Sequence, residues 1–125
     1  EKVVPNEGTY TVNPTTGEVT FKPVASFTGT GTGVTVVQTA TLTADDGSTT
    51  EIKTSATYTP EVTPTTLEAT DAVSAAVQGE TQSETITSKL SENPNASAVT
   101  YAFEDGSTSK TVAGEGSYTL DPATG

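Results

Sequence analysis

This sequence predicts an all-β protein of antiparallel strands, to which three observations lead, and the duplication at its two ends, described below, extends the expectation to an immunoglobulin-like β-sandwich repeat. Threonine, a β-branched residue enriched in strands, occurs 29 times in 125 residues. Whole segments alternate threonine with apolar residues, the period of a half-buried strand. Asn-Pro and Asp-Gly clusters separate those segments, and they are the residues that hairpin turns demand. Leu, Ile, Val and Phe are together few enough that, beside a high net charge, disorder is the competing reading. The alternation decides for strands over coil.

Taken in order, Thr9-Tyr10-Thr11-Val12 alternates and Asn13-Pro14-Thr15-Thr16-Gly17 turns the chain. Glu18-Val19-Thr20-Phe21-Lys22 alternates again until Pro23 stops it, which makes a hairpin. Over 34–44, Val34, Val36, Gln38, Ala40, Leu42 and Ala44 share one face and the threonines with Val37 take the other. Asp45-Asp46-Gly47-Ser48 then turns into 51–59, where Ile52, Thr54, Ala56 and Tyr58 share a face, a second hairpin. Pro60 and Pro64 among hydroxyl residues break any central strand, so 60–66 reads as an extended connector.

Residues 67–98 are the poorest in bulky apolar groups, with Leu67, Val73, Val77, Ile86 and Leu90 widely spaced. Edge strands and long loops are expected there; 72–76 suits a helical turn, but no helix-period face follows it. Order returns at Val99-Thr100-Tyr101-Ala102-Phe103, the turn Glu104-Asp105-Gly106-Ser107 and the strand Ser109-Lys110-Thr111-Val112. Tyr10, Phe21, Phe27, Tyr58, Tyr101, Phe103 and Tyr118 are the expected core anchors of these sheets.

Composition removes most chemistry. Five lysines against 16 acidic residues give a net charge of −11 and a pI near 4.1, so no basic face exists for nucleic acid or an anionic membrane. His, Cys, Met, Trp and Arg are absent, which excludes a Ser-His-Asp triad, a thiol nucleophile, a disulfide and ordinary zinc, haem or iron–sulfur ligation. No apolar run approaches the roughly 18 residues of a membrane span. The start at Glu1 suggests a slice of a longer polypeptide, with targeting and anchoring signals outside it.

The most informative feature joins the two ends. Glu7-Gly8-Thr9-Tyr10-Thr11-Val12-Asn13-Pro14-Thr15-Thr16-Gly17 recurs without a gap as Glu115-Gly116-Ser117-Tyr118-Thr119-Leu120-Asp121-Pro122-Ala123-Thr124-Gly125, every mismatch conservative except Thr15 against Ala123. A period of about 100 residues is too long for a solenoid coil and suits a string of β-sandwich beads, each closing its own core.

Phe103-Glu104-Asp105-Gly106-Ser107 with Lys110-Thr111-Val112, followed by Gly114-Glu115-Gly116-Ser117-Tyr118-Thr119-Leu120-Asp121-Pro122, resembles the opening strands of the CshA-type fibril repeat of bacterial, Gram-positive surface adhesins. Gly8-Thr9-Tyr10-Thr11-Val12, Val19-Thr20-Phe21-Lys22-Pro23, Phe27-Thr28-Gly29 and Thr57-Tyr58-Thr59-Pro60 resemble its later half, and Gln78-Gly79-Glu80-Thr81-Gln82 its linker-proximal stretch. The likeness spans most of the chain apart from 67–74 and 88–98, and 31–55 is longer than usual for the family.

The resemblance implies a non-enzymatic stalk module, present in tandem on an exported, wall-anchored fibrillar adhesin and holding an adhesive tip away from the cell. Its partners would be adjacent repeats of the same polypeptide. The family order also implies that 1–63 is the C-terminal half of one repeat and 64–125 the N-terminal half of the next, with 60–66 as connector. On that reading the strand at 9–12 has lost its upstream partner and the strand at 117–120 its downstream one. Residues 99–120 would then complete the half at 8–60, within one chain or by strand exchange between molecules. The alternative class is a β module that itself contacts a host glycoprotein or glycan.

No catalytic, cofactor-binding or metal-binding residue is expected. Asp45-Asp46-Gly47-Ser48 and Glu104-Asp105-Gly106-Ser107 carry calcium-type oxygens, yet they read as hairpin turns and lack the spaced acidic pattern of an EF-hand. Paired carboxylates suffice for glycoside hydrolysis, but only the acidic composition points that way. A self-formed covalent cross-link, Lys to Asn or Thr to Gln beside a buried carboxylate, is the third candidate, with Lys22, Lys53, Asn13, Gln38, Gln78 and Gln82 available and solvated lysines as the simpler reading.

Overall fold

A computed structural model describes residues 1–125. It is all-β: strands β1 (Lys2–Val4), β2 (Gly8–Val12), β3 (Val19–Pro23), β4 (Gly29–Thr30), β5 (Val34–Thr43), β6 (Thr49–Tyr58), β7 (Glu61–Val62), β8 (Leu67–Thr70), β9 (Thr87–Leu90), β10 (Ser109–Val112) and β11 (Gly116–Thr119), with no helix. All pairings are antiparallel, in a three-stranded sheet β1-β2-β3 and the two-stranded sheets β4-β7, β5-β6, β8-β9 and β10-β11. The chain divides into two compact units, Glu1–Pro64 and Thr65–Gly125, and each sheet belongs to one of them.

In the first unit both expected hairpins form. Tyr10 faces Phe21 across β2-β3, and the turn between them closes by Asn13 N–H to Glu18 O (2.8 Å) and Gly17 N–H to Asn13 O (2.8 Å). The ribbon β5-β6 runs unbroken from Val34 opposite Tyr58 to Thr43 opposite Thr49. Asp46 and Gly47 make its tip, with Gly47 at φ 85°, a conformation that glycine adopts without steric cost. One expectation is corrected here: β2 has an upstream partner. Lys2–Val4 pairs with it, Lys2 opposite Tyr10 and Val4 opposite Gly8, so both edges of β2 are filled. Of the stretch 60–66, Glu61–Val62 pairs with β4, and Thr65 and Thr66 are tied to Asn93 and Ser91 of the second unit's own segment.

The second unit is sparse. β8 and β9 pair Leu67 with Leu90 and Thr70 with Thr87, the edge strands expected of this apolar-poor region. Residues 72–76 form no helical turn. Nor do residues 99–103 form a strand: Phe103 N–H reaches only to Ser107 O (2.9 Å) around the Asp105-Gly106 turn, and Tyr101 N–H to Pro122 O (3.0 Å). Alternation alone does not make a strand where no neighbouring strand offers a partner. The lysines at 2, 22, 53, 89 and 110 all fall inside strands, one each in β1, β3, β6, β9 and β10.

Burial is concentrated in one spot. The buried residues are Glu7, Gly8, Tyr10, Gly31, Gly33 and Pro60, all in the first unit. Tyr10 is 2% exposed. Its ring packs tilted on Phe21 (centroids 4.5 Å apart), and Phe21 meets Phe27 edge-on at 6.1 Å, contacts worth about 0.5–1.5 kcal/mol each beyond the area they cover. The other expected anchors are not core: Phe21, Phe27, Tyr101 and Phe103 are half-buried, and Tyr58 and Tyr118 are exposed. With so few bulky residues, small sheets cover one another only partly, and most side chains keep one side in water.

Glycine at 31 is what lets the chain close over Tyr10. A Cβ there would stand 2.7 Å from the Tyr10 hydroxyl oxygen and 2.8 Å from Pro60 Cγ, below any normal contact. Gly31→Ala is therefore expected to cost the first unit about 1–3 kcal/mol, whereas Thr30→Ala, on an exposed residue of β4, should stay within about 0.5 kcal/mol. Urea unfolding followed on amide resonances of β2 and β3 measures both.

Candidate functional site

Glu7 is the buried carboxylate of the chain, 7% exposed, and it stands at the entry to β2. Asn6 precedes it at φ 62°, an αL position that asparagine tolerates, and Glu7 N–H closes the turn onto Val4 O (3.1 Å). The tight β1-β2 turn thus places Glu7 three residues before Tyr10 and on the same side. The Tyr10 hydroxyl donates to Glu7 Oε1. Glu7 Oε2 accepts from Thr32 N–H (2.9 Å) and Thr32 Oγ1 (2.7 Å), and Gly33 N–H donates to the Tyr10 oxygen (3.1 Å). Every buried side-chain polar atom has a partner.

The electrostatics follow from these bonds. The Thr32 hydroxyl and then the Tyr10 hydroxyl hold the Glu7 carboxyl below its ordinary value, against the opposing effect of burial. Burial first, and then the bond to Glu7, push the Tyr10 phenol up. An ionised carboxylate facing a protonated phenol, both closed by loop donors, is a clasp that joins β2 to the segment Gly31–Gly33. It has no second carboxylate, so it is not a hydrolytic pair, which needs two acids at a set separation.

Of the candidates named from sequence, Asp46 and Asp105 sit in matching turns. Asp46 Oδ1 accepts from Ser48 N–H (2.9 Å) and Oγ (2.5 Å), and Asp105 Oδ1 from Ser107 N–H (2.9 Å) and Oγ (2.6 Å). These serine hydroxyls lower both carboxyls. No three carboxylates gather. Register sets Lys22 opposite Thr9, Lys53 opposite Thr39 and Gln38 opposite Thr54, so no candidate lysine faces a candidate amide across a strand pair. Lys53 is paired with Glu51 at 3.2 Å on the surface, and the Asn13 side chain accepts from Thr15 and Thr16 N–H. Two open grooves of about 180 and 240 Å³ flank Val19 and Val36, smaller than the roughly 300–1,000 Å³ of a small-molecule site.

The second half of the chain builds the same hairpin. Lys110 faces Tyr118 and Val112 faces Gly116, the register of Lys2 with Tyr10 and Val4 with Gly8. Glu115 N–H closes onto Val112 O (3.1 Å), Gly114 takes φ 76° where Asn6 has 62°, and the Tyr118 hydroxyl donates to Glu115 Oε1. After each hairpin an Asx turn follows, Asn13 holding Thr15 and Thr16 N–H, Asp121 holding Ala123 and Thr124 N–H. Gly17 and Gly125 both sit at φ 77°. The duplication therefore starts at β1, upstream of the Glu7 where the sequence likeness is plain.

An all-β chain that builds one hairpin twice in the same register has the internal repetition of a repeat protein. A family model for the repetitive domain of the surface adhesin CshA matches residues 1–62 and again 64–125. The chain belongs to that family, and so to the repeat region of a cell-surface adhesin, a membership that points to a non-catalytic, structural role. Comparisons with curated proteins and with solved structures each found no match.

The clasp sets a pH window. A Glu7 pKa below its unfolded value contributes stability that is present above the ordinary glutamate range and is lost as pH falls through the depressed folded value. A raised Tyr10 pKa contributes stability present below the ordinary tyrosine range and lost as pH rises through the raised value. Thermal melts of the first unit should be flat between those limits and fall at both ends. In Glu7→Gln the acid fall should be shallower and the melting temperature lower at neutral pH; an unchanged acid limb would show that Glu7 does not set it.

Proposed function

We propose that this chain is a stalk segment, a spacer in a tandem array on a wall-anchored fibrillar adhesin of a Gram-positive bacterium, carrying no ligand site of its own. The observation that carries the reading is the hairpin formed twice in one register, once as β1-β2 and again as β10-β11. A module that recurs at fixed spacing sets length by copy number. Residues 1–63 carry the C-terminal half of one repeat, entered through the β1-β2 hairpin, and 64–125 the N-terminal half of the next, ending in the same hairpin, and a complete repeat closes as a β-sandwich from the two kinds of half with that hairpin counted once. An acidic surface rich in Thr and Ser keeps identical neighbours from associating. Adhesion to host tissue and participation in biofilms belong to other parts of the parent protein.

A second reading, a module that itself binds a host glycoprotein or glycan, rests on one observation: Ala40, Leu42 and Ile52 form an apolar strip on the ribbon β5-β6, with Leu42 58% and Ile52 60% exposed. Arrays of two, four and eight periods separate the two. For a stalk, the maximum dimension in small-angle X-ray scattering grows in proportion to copy number, and immobilised matrix glycoproteins and glycans capture none of the arrays. Saturable capture that Leu42→Asp with Ile52→Asp abolishes would replace the stalk reading with the binding one.

A further inference from the structure

We infer that Ser48 and Ser107 guard the chain's two Asp-Gly bonds against succinimide formation, and that the guard is weaker at Asp105-Gly106, which makes that bond the place where this chain isomerises with age.

Asp46-Gly47 and Asp105-Gly106 are the Asp-Gly steps of the sequence, which has no Asn-Gly, and each is followed by serine. Such a step is a weak point of a long-lived backbone, because glycine has no side chain to shield its nitrogen. That nitrogen attacks the carboxyl carbon of the preceding aspartic acid. An N–C bond forms, the C–OH bond breaks, and one water leaves, made of the displaced hydroxyl and the amide proton. Water then opens the ring at either carbonyl, returning aspartate or leaving isoaspartate, in which the backbone runs through the side-chain carbon. No other reactant is needed. The attacked form is the neutral acid, since a carboxylate has no hydroxyl to lose.

One kind of turn carries both steps. Gly47 N–H donates to Ala44 O (2.9 Å) and Ala44 N–H to Ser48 O (2.8 Å); Gly106 N–H donates to Phe103 O (2.8 Å) and Phe103 N–H to Ser107 O (2.9 Å). The serine ties down the other reacting group. Ser48 Oγ stands 2.5 Å and Ser107 Oγ 2.6 Å from Oδ1 of their aspartates, with the serine N–H groups donating at 2.9 Å in each. Nucleophile and carboxyl are thus each bonded to something other than one another. The hydroxyl, and after it the N–H, also holds each carboxyl below its ordinary value, which thins the neutral form. Packing adds no protection: both aspartates and both glycines are exposed, and no atom lies within 4 Å of where a Cβ on either glycine would stand.

The two guards differ. Ser48 Oγ bonds to Asp46 alone, and its turn caps the ribbon β5-β6, with Thr43 opposite Thr49 directly behind it. Ser107 Oγ is shared, 2.6 Å from Asp105 Oδ1 and 3.0 Å from Ser109 O, and a hydroxyl has one proton to give. Residues 99–103, which lead into that turn, form no strand, so the turn opens without breaking a ladder.

The experiment keeps the folded full chain at neutral pH and body temperature for weeks and locates isoaspartate by electron-transfer fragmentation, which separates the two isomers. Isoaspartate should accumulate about 3- to 10-fold faster at 105 than at 46. Ser107→Ala should speed position 105 by about 3- to 10-fold and leave 46 at its parental rate, and Ser48→Ala should do the reverse. Ser107→Thr, which keeps the hydroxyl, should restore the parental rate at 105. Amide spectra of β5-β6 and β10-β11 report that each variant stays folded. In guanidinium chloride, where the turns are gone, parent and variants should isomerise at one rate, which separates a guard made by geometry from an effect of serine on local reactivity. Folded-state rates that neither alanine substitution changes would overturn the proposal. So would alanine effects that persist in the unfolded chain, or an Asp46-Gly47 bond that isomerises faster than Asp105-Gly106.

Discussion

The clasp between Glu7, Tyr10 and the Gly31–Gly33 loop is the constraint on which the first unit depends. A chain with this little bulky apolar surface cannot specify its fold by filling a large core. It instead buries one aromatic ring and one carboxylate and satisfies every polar atom they bring with them. Unpaired, that carboxylate would be a liability in a buried position; hydrogen-bonded on both oxygens it fixes which loop can sit against β2. Glycine at 31 and 33 is the geometric counterpart: a Cβ at 31 would strike the phenol, and one at 33 would strike the Tyr58 carbonyl oxygen. Around this point β3, β4, β7 and the base of the ribbon find their places.

Away from the clasp, stabilisation is dispersed over cross-strand pairs. The ribbon β5-β6 has almost all its side chains in water, and an isolated two-stranded ribbon is marginal. Thr35 and Thr57 bond across it (3.1 Å), and Thr111 and Ser117 do the same in β10-β11 (3.3 Å). Hydroxyl ladders of this kind add little each, and they tolerate exposure that a valine ladder would not. That is the physical sense of the threonine content: strand propensity without a large apolar surface.

The two long hairpins were legible because alternation and turn residues agree: Thr9 to Phe21 around Asn13-Pro14, and Val34 to Tyr58 around Asp46-Gly47. The duplication was legible because glycine, tyrosine and proline recur in register. The clasp was not, for Glu7 and Thr32 are 25 residues apart and no local pattern joins them. A signal existed all the same, in Glu three residues before Tyr in both copies and in the glycines at 29, 31 and 33. The strand expected at 99–103 failed for the opposite reason: its alternation is sound, but pairing is a property of two segments, and its backbone makes only the turn bonds of Phe103 with Gly106 and Ser107 and one bond from Tyr101 to Pro122.

The placement of the lysines has a consequence for survival outside the cell. With no arginine, a protease that cuts after basic residues meets five lysines in the chain, one of them, Lys22, shielded further by the proline that follows it, and each lies in a strand of a paired sheet. Proteases bind their substrates as locally unfolded, extended chain, so cleavage at a paired lysine waits on local opening of its sheet. The turns and long loops, where nicking ordinarily begins, offer such an enzyme nothing to cut. A surface that has discarded thiols, thioethers, indoles and imidazoles also presents few side chains that oxidants attack first. Durability here comes as much from what has been left out of the loops as from what holds the strands.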